Sequence, residues 1–298
     1  VIMSFLFITM MFIMIPRAIV SAKRIGEVLD VEPSIEDPEM PETVEDHRGV
    51  VEFDHVSFSY PDAEKEVLED ISFTAGPGRT TAIIGGTGSG KSTLISLIPR
   101  FYDATEGSVR VDGKDVREIT QHELRDQIGY VPQKGLLFSG TIASNLQYGK
   151  EDATEAEMLE AAETAQAMDF IREKEHGLDE EVAQGGTNVS GGQKQRLSIA
   201  RALVKKPKIY IFDDSFSALD FKTDKALREA LKEKVGDSTI IIVAQRINTI
   251  IDADQILVLD EGRLAGKGTH DELMETCDVY REIALSQLSE EELERGRK

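Results

Sequence analysis

The sequence predicts a mixed α/β protein with a parallel-sheet core, an antiparallel β flank and a helical subdomain, preceded by part of a transmembrane helix. Three observations support this class. A short apolar strand, 80–84, leads into a glycine-rich loop and then into a helical pattern from 92 to 101. A second apolar strand, 208–212, ends in two aspartates. An apolar run over 1–15 lies apart from both.

The glycine-rich loop predicts a site for ATP and Mg²⁺. Its glycines let backbone N–H groups curl around phosphates, and the following helix adds its positive dipole end. Lys91 has the reach for the β and γ phosphates, and the Ser92 hydroxyl is suited to Mg²⁺. A plain flexible loop, the alternative, does not require Lys-Ser at this offset. The residues predicted to bind here are Gly85, Gly86, Thr87, Gly88, Ser89, Gly90, Lys91, Ser92 and Thr93.

The two aspartates after the second strand predict a metal ligand and a catalytic acid. A carboxylate at the C-terminal edge of a parallel strand lies at the crevice where such sheets bind nucleotides. We expect Asp213 to hold Mg²⁺ through water, and Asp214 to orient or deprotonate the attacking water. Asp214 is one methylene shorter than a glutamate, and a displacement of about 1 Å costs on the order of a hundredfold in rate. The alternative is that both acids only end the strand and face water.

A third motif, Ser190-Gly191-Gly192-Gln193, opens a helix that continues through 199–203. Together with the loop and the aspartates, it makes the chain resemble the nucleotide-binding domain of an ATP-binding cassette (ABC) transporter, from about 47 to 288. Two such domains close head to tail around two nucleotides. The resemblance therefore assigns this motif to the ATP held by the other subunit, and its bare helix N-terminus is suited to a γ-phosphate.

The resemblance also adds residues to the site. It implies that Tyr60 stacks on adenine and that Gln133 contacts both Mg²⁺ and the attacking water. The loop Ser217-Ala218-Leu219-Asp220 would touch the partner's site, and 135–145 would meet the membrane domain. The residues carried over in this way are Tyr60, Gln133, Ser190, Gly191, Gly192, Gln193 and Asp220.

The strand 239–243 resembles the one that ends near a switch histidine, but the residue here is Gln245. Glutamine donates hydrogen bonds but carries neither a proton nor a positive charge. His270 belongs by its surroundings to a surface turn before a helix. Asp214 and Gln245 together predict a degenerate catalytic site. Because Ser190–Gln193, the signature motif of the family that this chain resembles, is intact, we expect a heterodimer with a non-identical half-transporter.

The apolar run predicts the end of a membrane span. About fifteen residues cover roughly 22 Å of helix, less than the ~30 Å hydrocarbon core, so we expect a longer span. Arg17, Lys23 and Arg24 place its end on the cytoplasmic side. A secretory signal and a buried core helix are the alternatives. By resemblance, 1–29 is the end of the last transmembrane helix of an exporter half, multi-pass in the plasma membrane, with the ATPase domain in the cytoplasm.

The remaining segments complete the domain organisation. An acidic linker with three prolines fills 30–46 and should lie extended over the ATPase domain of 47–288. Strands near 51–60 and 67–74 predict the antiparallel flank. A helical insert is predicted from 121 to 170, and the helical subdomain is expected to cover about 134–205. Residues 289–298 form a charged tail. A length of 298 residues is enough for one large α/β domain with its own core plus the appended helix.

Composition limits the possible partners. The formal net charge of −21 argues against binding to nucleic acid, and the single cysteine permits no internal disulfide. Three functions fit the sequence: a subunit of a heterodimeric exporter of drugs or lipids, a homodimeric exporter that hydrolyses slowly, and a regulatory ABC ATPase without transport. The regulatory ATPase would be indicated by a second ATP-binding domain in the same chain and by the lack of a membrane span.

Overall fold

The computed structural model describes residues 2–44, 46–61, 63 and 65–287. The predicted tail, 289–298, lies outside them. The chain divides into two compact units, Val1–Glu36 and Asp37–Lys298. The limits proposed above for the linker and the ATPase domain stay predictions.

The helices and strands follow in chain order. The helices are α1 Ile2–Leu29, α2 Lys91–Ser96, α3 Gln121–Asp126, α4 Ile142–Gln147, α5 Glu155–Thr164, α6 Met168–Arg172, α7 Gly191–Val204, α8 Phe221–Lys234, α9 Ile247–Ile250, α10 His270–Thr276 and α11 Asp278–Gln287. The strands are β1 Val51–Phe58, β2 Leu68–Ala75, β3 Thr80–Gly85, β4 Glu106–Val111, β5 Lys114–Asp115, β6 Ile128–Val131, β7 Gly140–Thr141, β8 Glu181–Val182, β9 Ile209–Asp213, β10 Thr239–Val243, β11 Gln255–Asp260 and β12 Arg263–Gly268.

The first unit is dominated by α1. This helix of 28 residues continues through Pro16 and buries none of its residues. An 18-residue window of it has a mean hydropathy of 2.0, and among the described residues it is the one helix long and apolar enough to cross a membrane. At 1.5 Å per residue it covers about 42 Å, more than the ~30 Å of a hydrocarbon core.

The second unit contains the predicted antiparallel flank and parallel core. The flank has the order β2-β1-β4-β5, and its paired strands are antiparallel. The core sheet has the order β12-β11-β3-β10-β9-β6, parallel except for β12. In this sheet Val243 pairs with Asp213, and Val131 pairs with Phe212. The C-terminal ends of these strands therefore meet at one edge, which is where the motifs lie.

Three local predictions were wrong. The pattern taken as a helical insert from 121 includes β6, which is an edge strand of the core sheet. The helix after the phosphate loop ends at Ser96, not at 101, because Pro99 disfavours the helical conformation of the residue before it. His270 lies in a helix and is 9% exposed, with Nδ1 2.8 Å from the Tyr280 hydroxyl.

The acidic segment lies against the ATPase unit from Asp37 onward. The Asp37 carboxylate accepts a hydrogen bond of 2.8 Å from the Gln121 N–H, which lowers the pKa of Asp37. The Glu42 N–H donates to the Glu118 carbonyl, and Val44 is buried. Hydrogen bonds to Gln121 at the start of α3 and to Glu118 before it, together with the burial of Val44, therefore hold this segment in place.

The chain just after α4 packs closely against α7, and this contact gives a test of the packing. A Cβ on Gly149 would lie 2.1 Å from the Arg201 carbonyl oxygen. The helices must move apart to admit it, and overpacking of this kind costs about 1–3 kcal/mol. We expect Gly149→Ala to lower the melting temperature by roughly 3–10 °C. Gly76→Ala, where a Cβ meets nothing within 4 Å, is the matched control in thermal unfolding. An unchanged melting temperature for Gly149→Ala would contradict this packing.

Candidate nucleotide-binding site

The loop between β3 and α2 has the backbone of a phosphate cradle. Gly88 and Gly90 have φ of 82° and 96°, a region that favours glycine. A Cβ on Gly85 would lie 2.1 Å from the Leu259 carbonyl oxygen, whereas a Cβ on Gly86 would meet nothing within 4 Å. The loop is therefore packed tightly where it leaves the sheet and is open where its N–H groups would receive phosphate oxygens.

Lys91 lies inside this loop. Its Nζ donates to the carbonyl oxygens of Gly85 at 2.9 Å and Gly86 at 2.7 Å. Burial of the ammonium lowers the pKa of Lys91, and the nearby carboxylates of Asp214 and Asp213 oppose this shift. A half-buried cation held by two carbonyls is ready to bind a multiply charged anion, because the phosphates would replace weak neutral acceptors with charged ones.

Ser92 and Asp213 form the candidate Mg²⁺ site. The Ser92 Oγ lies 3.0 Å from Asp213 Oδ1, at the end of β9. Burial raises the pKa of Asp213, and the hydrogen bond from Ser92 opposes that effect. Mg²⁺ typically takes one or two protein oxygens and completes its shell with phosphate oxygens and water, so this donor set fits it. Bound there, Mg²⁺ would neutralise charge on the phosphates.

Asp214 lies between two glutamines. Gln133 Nε2 donates to Asp214 Oδ2 at 3.1 Å, and Gln245 Nε2 donates to the same oxygen at 2.7 Å. Asp214 is buried, with 6% of the residue exposed, and it has a φ of 46°. Aspartate tolerates this left-handed conformation better than most residues. The three residues predicted for the reacting end of the nucleotide are therefore in direct contact.

Tyr60 lies beside the start of α2. Its hydroxyl is 2.9 Å from Thr93 Oγ1, and its ring makes edge contacts with Phe58 and Tyr102 at centroid distances of 4.9 and 5.2 Å. The aromatic ring and the phosphate loop are thus fixed to each other. This placement is compatible with adenine stacking, which stays a prediction.

The Ser190–Gln193 motif forms a capped helix start. Ser190 Oγ accepts from the Gln193 N–H at 3.3 Å, and Gln193 Oε1 accepts from the Ser190 N–H at 3.0 Å. A Cβ on Gly191 would meet nothing within 4 Å, and one on Gly192 would lie 3.4 Å from the Ala218 carbonyl oxygen. The structure brings this motif to the 217–220 loop, and among the described residues it makes no hydrogen bond to the phosphate loop.

Asp220 acts within its own chain as a helix cap. Its carboxylate accepts from the Thr223 N–H at 3.0 Å and from the Thr223 hydroxyl at 2.7 Å, at the start of α8. The backbone hydrogen bond from Thr223 is the main reason why the pKa of Asp220 lies below its ordinary value. The cap fixes the loop that reaches Gly192.

Two residues at the site were not predicted from the sequence. The Tyr130 hydroxyl lies 3.4 Å from Asp213 Oδ2, because β6 runs parallel to β9 and brings the ring to the same sheet edge. Burial is the main reason why the pKa of Tyr130 is raised. Recognition of β6 as a strand would have placed Tyr130 there. Gln287 contacts the chain around Gln245 from α11, and no local sequence signal indicates this.

Strand, phosphate loop, helix, paired acids and a second glycine-rich helix start define a phosphate-loop ATPase domain. The family model described as ABC transporter matches residues 68–217. The chain belongs to the ABC transporter family, and it is an ABC-type ATPase domain.

Three similar proteins illustrate the match. An uncharacterized ABC transporter ATP-binding protein, Rv1273c of Mycobacterium tuberculosis, is 50% identical over 291 residues, covering 96% of this chain and 50% of the relative. An ATP-dependent lipid A-core flippase of Alkalilimnicola ehrlichii is 42% identical over 267 residues, covering 89% and 45%. The structure of an ATP-bound bacterial Atm1-family ABC exporter aligns with a TM-score of 0.88 at 39% identity, covering 94% and 49%. The chain thus spans about half the length of these relatives.

Proposed function

We propose that this chain is the ATP-binding part of an ABC exporter whose own ATP site is degenerate and whose signature motif completes a competent site on a non-identical partner. The observation that carries the proposal is the position of the short Asp214 carboxylate, bonded to the amides of both Gln133 and Gln245.

The geometry explains why this site would hydrolyse slowly. The methylene that aspartate lacks shortens the reach of the carboxylate toward an attacking water, and errors of about 1 Å cost on the order of a hundredfold in rate. The Gln245 amide offers a hydrogen bond but no charge to developing phosphate oxyanions. Lys91, Ser92 and Asp213 keep the arrangement needed to bind ATP with Mg²⁺. The site would therefore bind ATP as a competent site does but would hydrolyse it more slowly.

The signature motif supports the second half of the proposal. Gly191 and Gly192 leave the first turn of α7 open, and the N–H groups there carry the positive end of the helix dipole. In a head-to-tail dimer this surface would contact the γ-phosphate of ATP bound to the partner. The pairing of one weak and one competent site is the simplest arrangement that uses both features of the chain.

Helix α1 and an exposed apolar patch after Gln133 support a connection to a membrane domain. The apolar, unburied α1 would be the end of the last membrane helix, with Arg17, Lys23 and Arg24 on the cytoplasmic side of a cell membrane. Leu136 and Phe138 are 56% and 42% exposed in the segment 135–145, which is expected to face the membrane domain, and the ring of Tyr148, 65% exposed, packs against Phe138. An apolar patch of this kind suits a docking helix of the transporter.

The similar proteins bear on the class of substrate that the whole protein would transport. A relative is named a lipid A-core flippase, and the exporter match has the same ATPase fold. We propose an amphipathic substrate, a drug or a lipid, for the whole protein. Residues of the exporter's membrane domain would contact it.

The proposal is tested on the full-length transporter purified with its partner. We expect Asp214→Ala to keep at least half of the ATP turnover, because the slow site contributes little to it. Removal of the acid at the corresponding position of the partner should lower turnover by at least about a hundredfold. The double change Asp214→Glu with Gln245→His should raise hydrolysis at this chain's own site, measured with the partner's site inactivated.

The opposite outcome selects a homodimer. If the chain alone turns over ATP briskly and Asp214→Ala stops it, Asp214 is a working base in two identical sites. If the full-length protein proves to carry a second cassette and no membrane span, the regulatory ATPase is correct and the exporter proposal fails.

A further inference from the structure

The segment that carries Gln245 is held by a residue far away in the sequence. Gln287 is the last residue of α11 and lies at the surface. Its Oε1 accepts a hydrogen bond of 2.9 Å from the Ile247 N–H, and its Nε2 donates one of 2.8 Å to the Gln245 carbonyl oxygen. One amide thus bridges the two ends of the three-residue segment 245–247.

The bridge supplies the helix cap that the segment 245–247 itself lacks. Ile247 is the first residue of α9, and the residue before it, Arg246, makes no side-chain cap. The first N–H groups of a helix need an acceptor from outside the helix, usually a Ser, Thr, Asp or Asn side chain at the N-cap. Here α11 provides the acceptor, so Gln287 caps α9 from another helix.

The start of α11 is anchored in the core. Tyr280 is fully buried, and its hydroxyl bonds to His270 of α10, while Ala284 is buried one turn later. Arg281 donates to the carbonyl oxygens of Met274 and Glu275. The helix is therefore a fixed support rather than a loose tail, and it holds Gln287 at a defined position.

We propose that Gln287 is a positioning residue for the nucleotide site: it fixes the 245–247 segment so that the Gln245 amide reaches Asp214. The connection is short, since Gln245 gives its carbonyl oxygen to Gln287 and its side-chain amide to Asp214 Oδ2 at 2.7 Å. Movement of α11 would be transmitted to the reacting end of the nucleotide. This inference rests on the proposed function, in which this chain's site retains ATP.

The first test measures the bridge without any activity. Amide hydrogen exchange of the full-length transporter, read on peptides covering 245–250, should become at least about fivefold faster in Gln287→Ala, because a hydrogen bond to a helix N-terminus is lost. Ser286→Ala, one residue earlier on the same helix, is the matched control and should exchange as the unmodified protein does. Unchanged exchange in Gln287→Ala overturns the inference, whatever Asp214→Ala does to turnover.

The second test asks whether Gln287 acts through Gln245. ATP release from this chain is followed by photo-crosslinking with 8-azido-ATP. The two labelled subunits are then separated by size in a denaturing gel, so that the label on this chain is read alone. We expect Gln287→Ala to speed release about fivefold, and Gln287→Ala with Gln245→Ala to release no faster than Gln245→Ala alone. Additive effects, or release equal to that of the unmodified protein, overturn the positioning role. Either result leaves the heterodimer proposal to be decided separately by the Asp214 variants.

The conservative variant separates the two hydrogen bonds. Gln287→Glu keeps an acceptor for the Ile247 N–H but sets a carboxylate oxygen against the Gln245 carbonyl. Exchange at Ile247 should stay slow, while ATP release should be faster. Unchanged ATP release in this variant would overturn the positioning role, because the bond to the Gln245 carbonyl oxygen would then have no effect on the nucleotide site.

Discussion

Lys91→Ala is expected to weaken ATP binding to this chain by at least about a hundredfold. The ammonium would make charge-assisted hydrogen bonds to the β and γ phosphates, and each is worth about 1.5–3 kcal/mol. The loss of two such bonds is about 3–4 kcal/mol or more, which exceeds a hundredfold in the dissociation constant. Equilibrium titration with a fluorescent ATP analogue, in the presence of Mg²⁺, gives the value.

The structure shows which control this prediction needs. Lys91 also bonds to the Gly85 and Gly86 carbonyls, so its removal loosens the loop even without nucleotide. The melting temperature without ATP must therefore stay close to that of the unmodified protein before the affinity is compared. Lys225→Ala removes an exposed lysine on α8 that pairs with Glu229, and it controls for the loss of one positive charge. Binding unchanged in Lys91→Ala would exclude this loop as the ATP site.

The parts of the fold predicted from sequence are those with a local pattern. The phosphate loop, the strand before Asp213 and the strand before Gln245 each combine an apolar run with a distinctive end, and the structure places them side by side in the core sheet. The order of those strands depends on long-range pairing, which no window of sequence contains. The prediction of a common edge nevertheless follows, because parallel strands align their C-terminal ends.

The errors have physical causes of the same kind. Strand β6 has only four residues, too short to show a period, and it follows a helix, so the whole region was taken as helical. His270 looked like a surface residue because polar neighbours surround it in the sequence, yet Tyr280 from α11 covers it. Gln287 was missed because its two bonds reach residues about forty positions earlier. In the cases of β6, His270 and Gln287, contacts with residues far away in the sequence determine the local structure.

Gly191→Asp is expected to stop ATP turnover of the dimer while leaving this chain folded. A Cβ at Gly191 meets nothing within 4 Å, and an acid in the first turn of α7 interacts favourably with the helix dipole. The same carboxylate would face the γ-phosphate of the partner's ATP. Two like charges about 4 Å apart repel by roughly 4 kcal/mol near a protein surface, or several hundredfold in rate.

Gly191→Asn separates charge from size, since it has nearly the shape of aspartate without the charge. We expect Gly191→Asn to reduce turnover far less than Gly191→Asp, and we expect both to melt within about 2 °C of the unmodified chain. ATP affinity at this chain's own site, read by photo-crosslinking, should be the same in both. If Gly191→Asp instead weakens binding at its own site and spares turnover, the motif serves the ATP of its own chain and the head-to-tail arrangement is wrong.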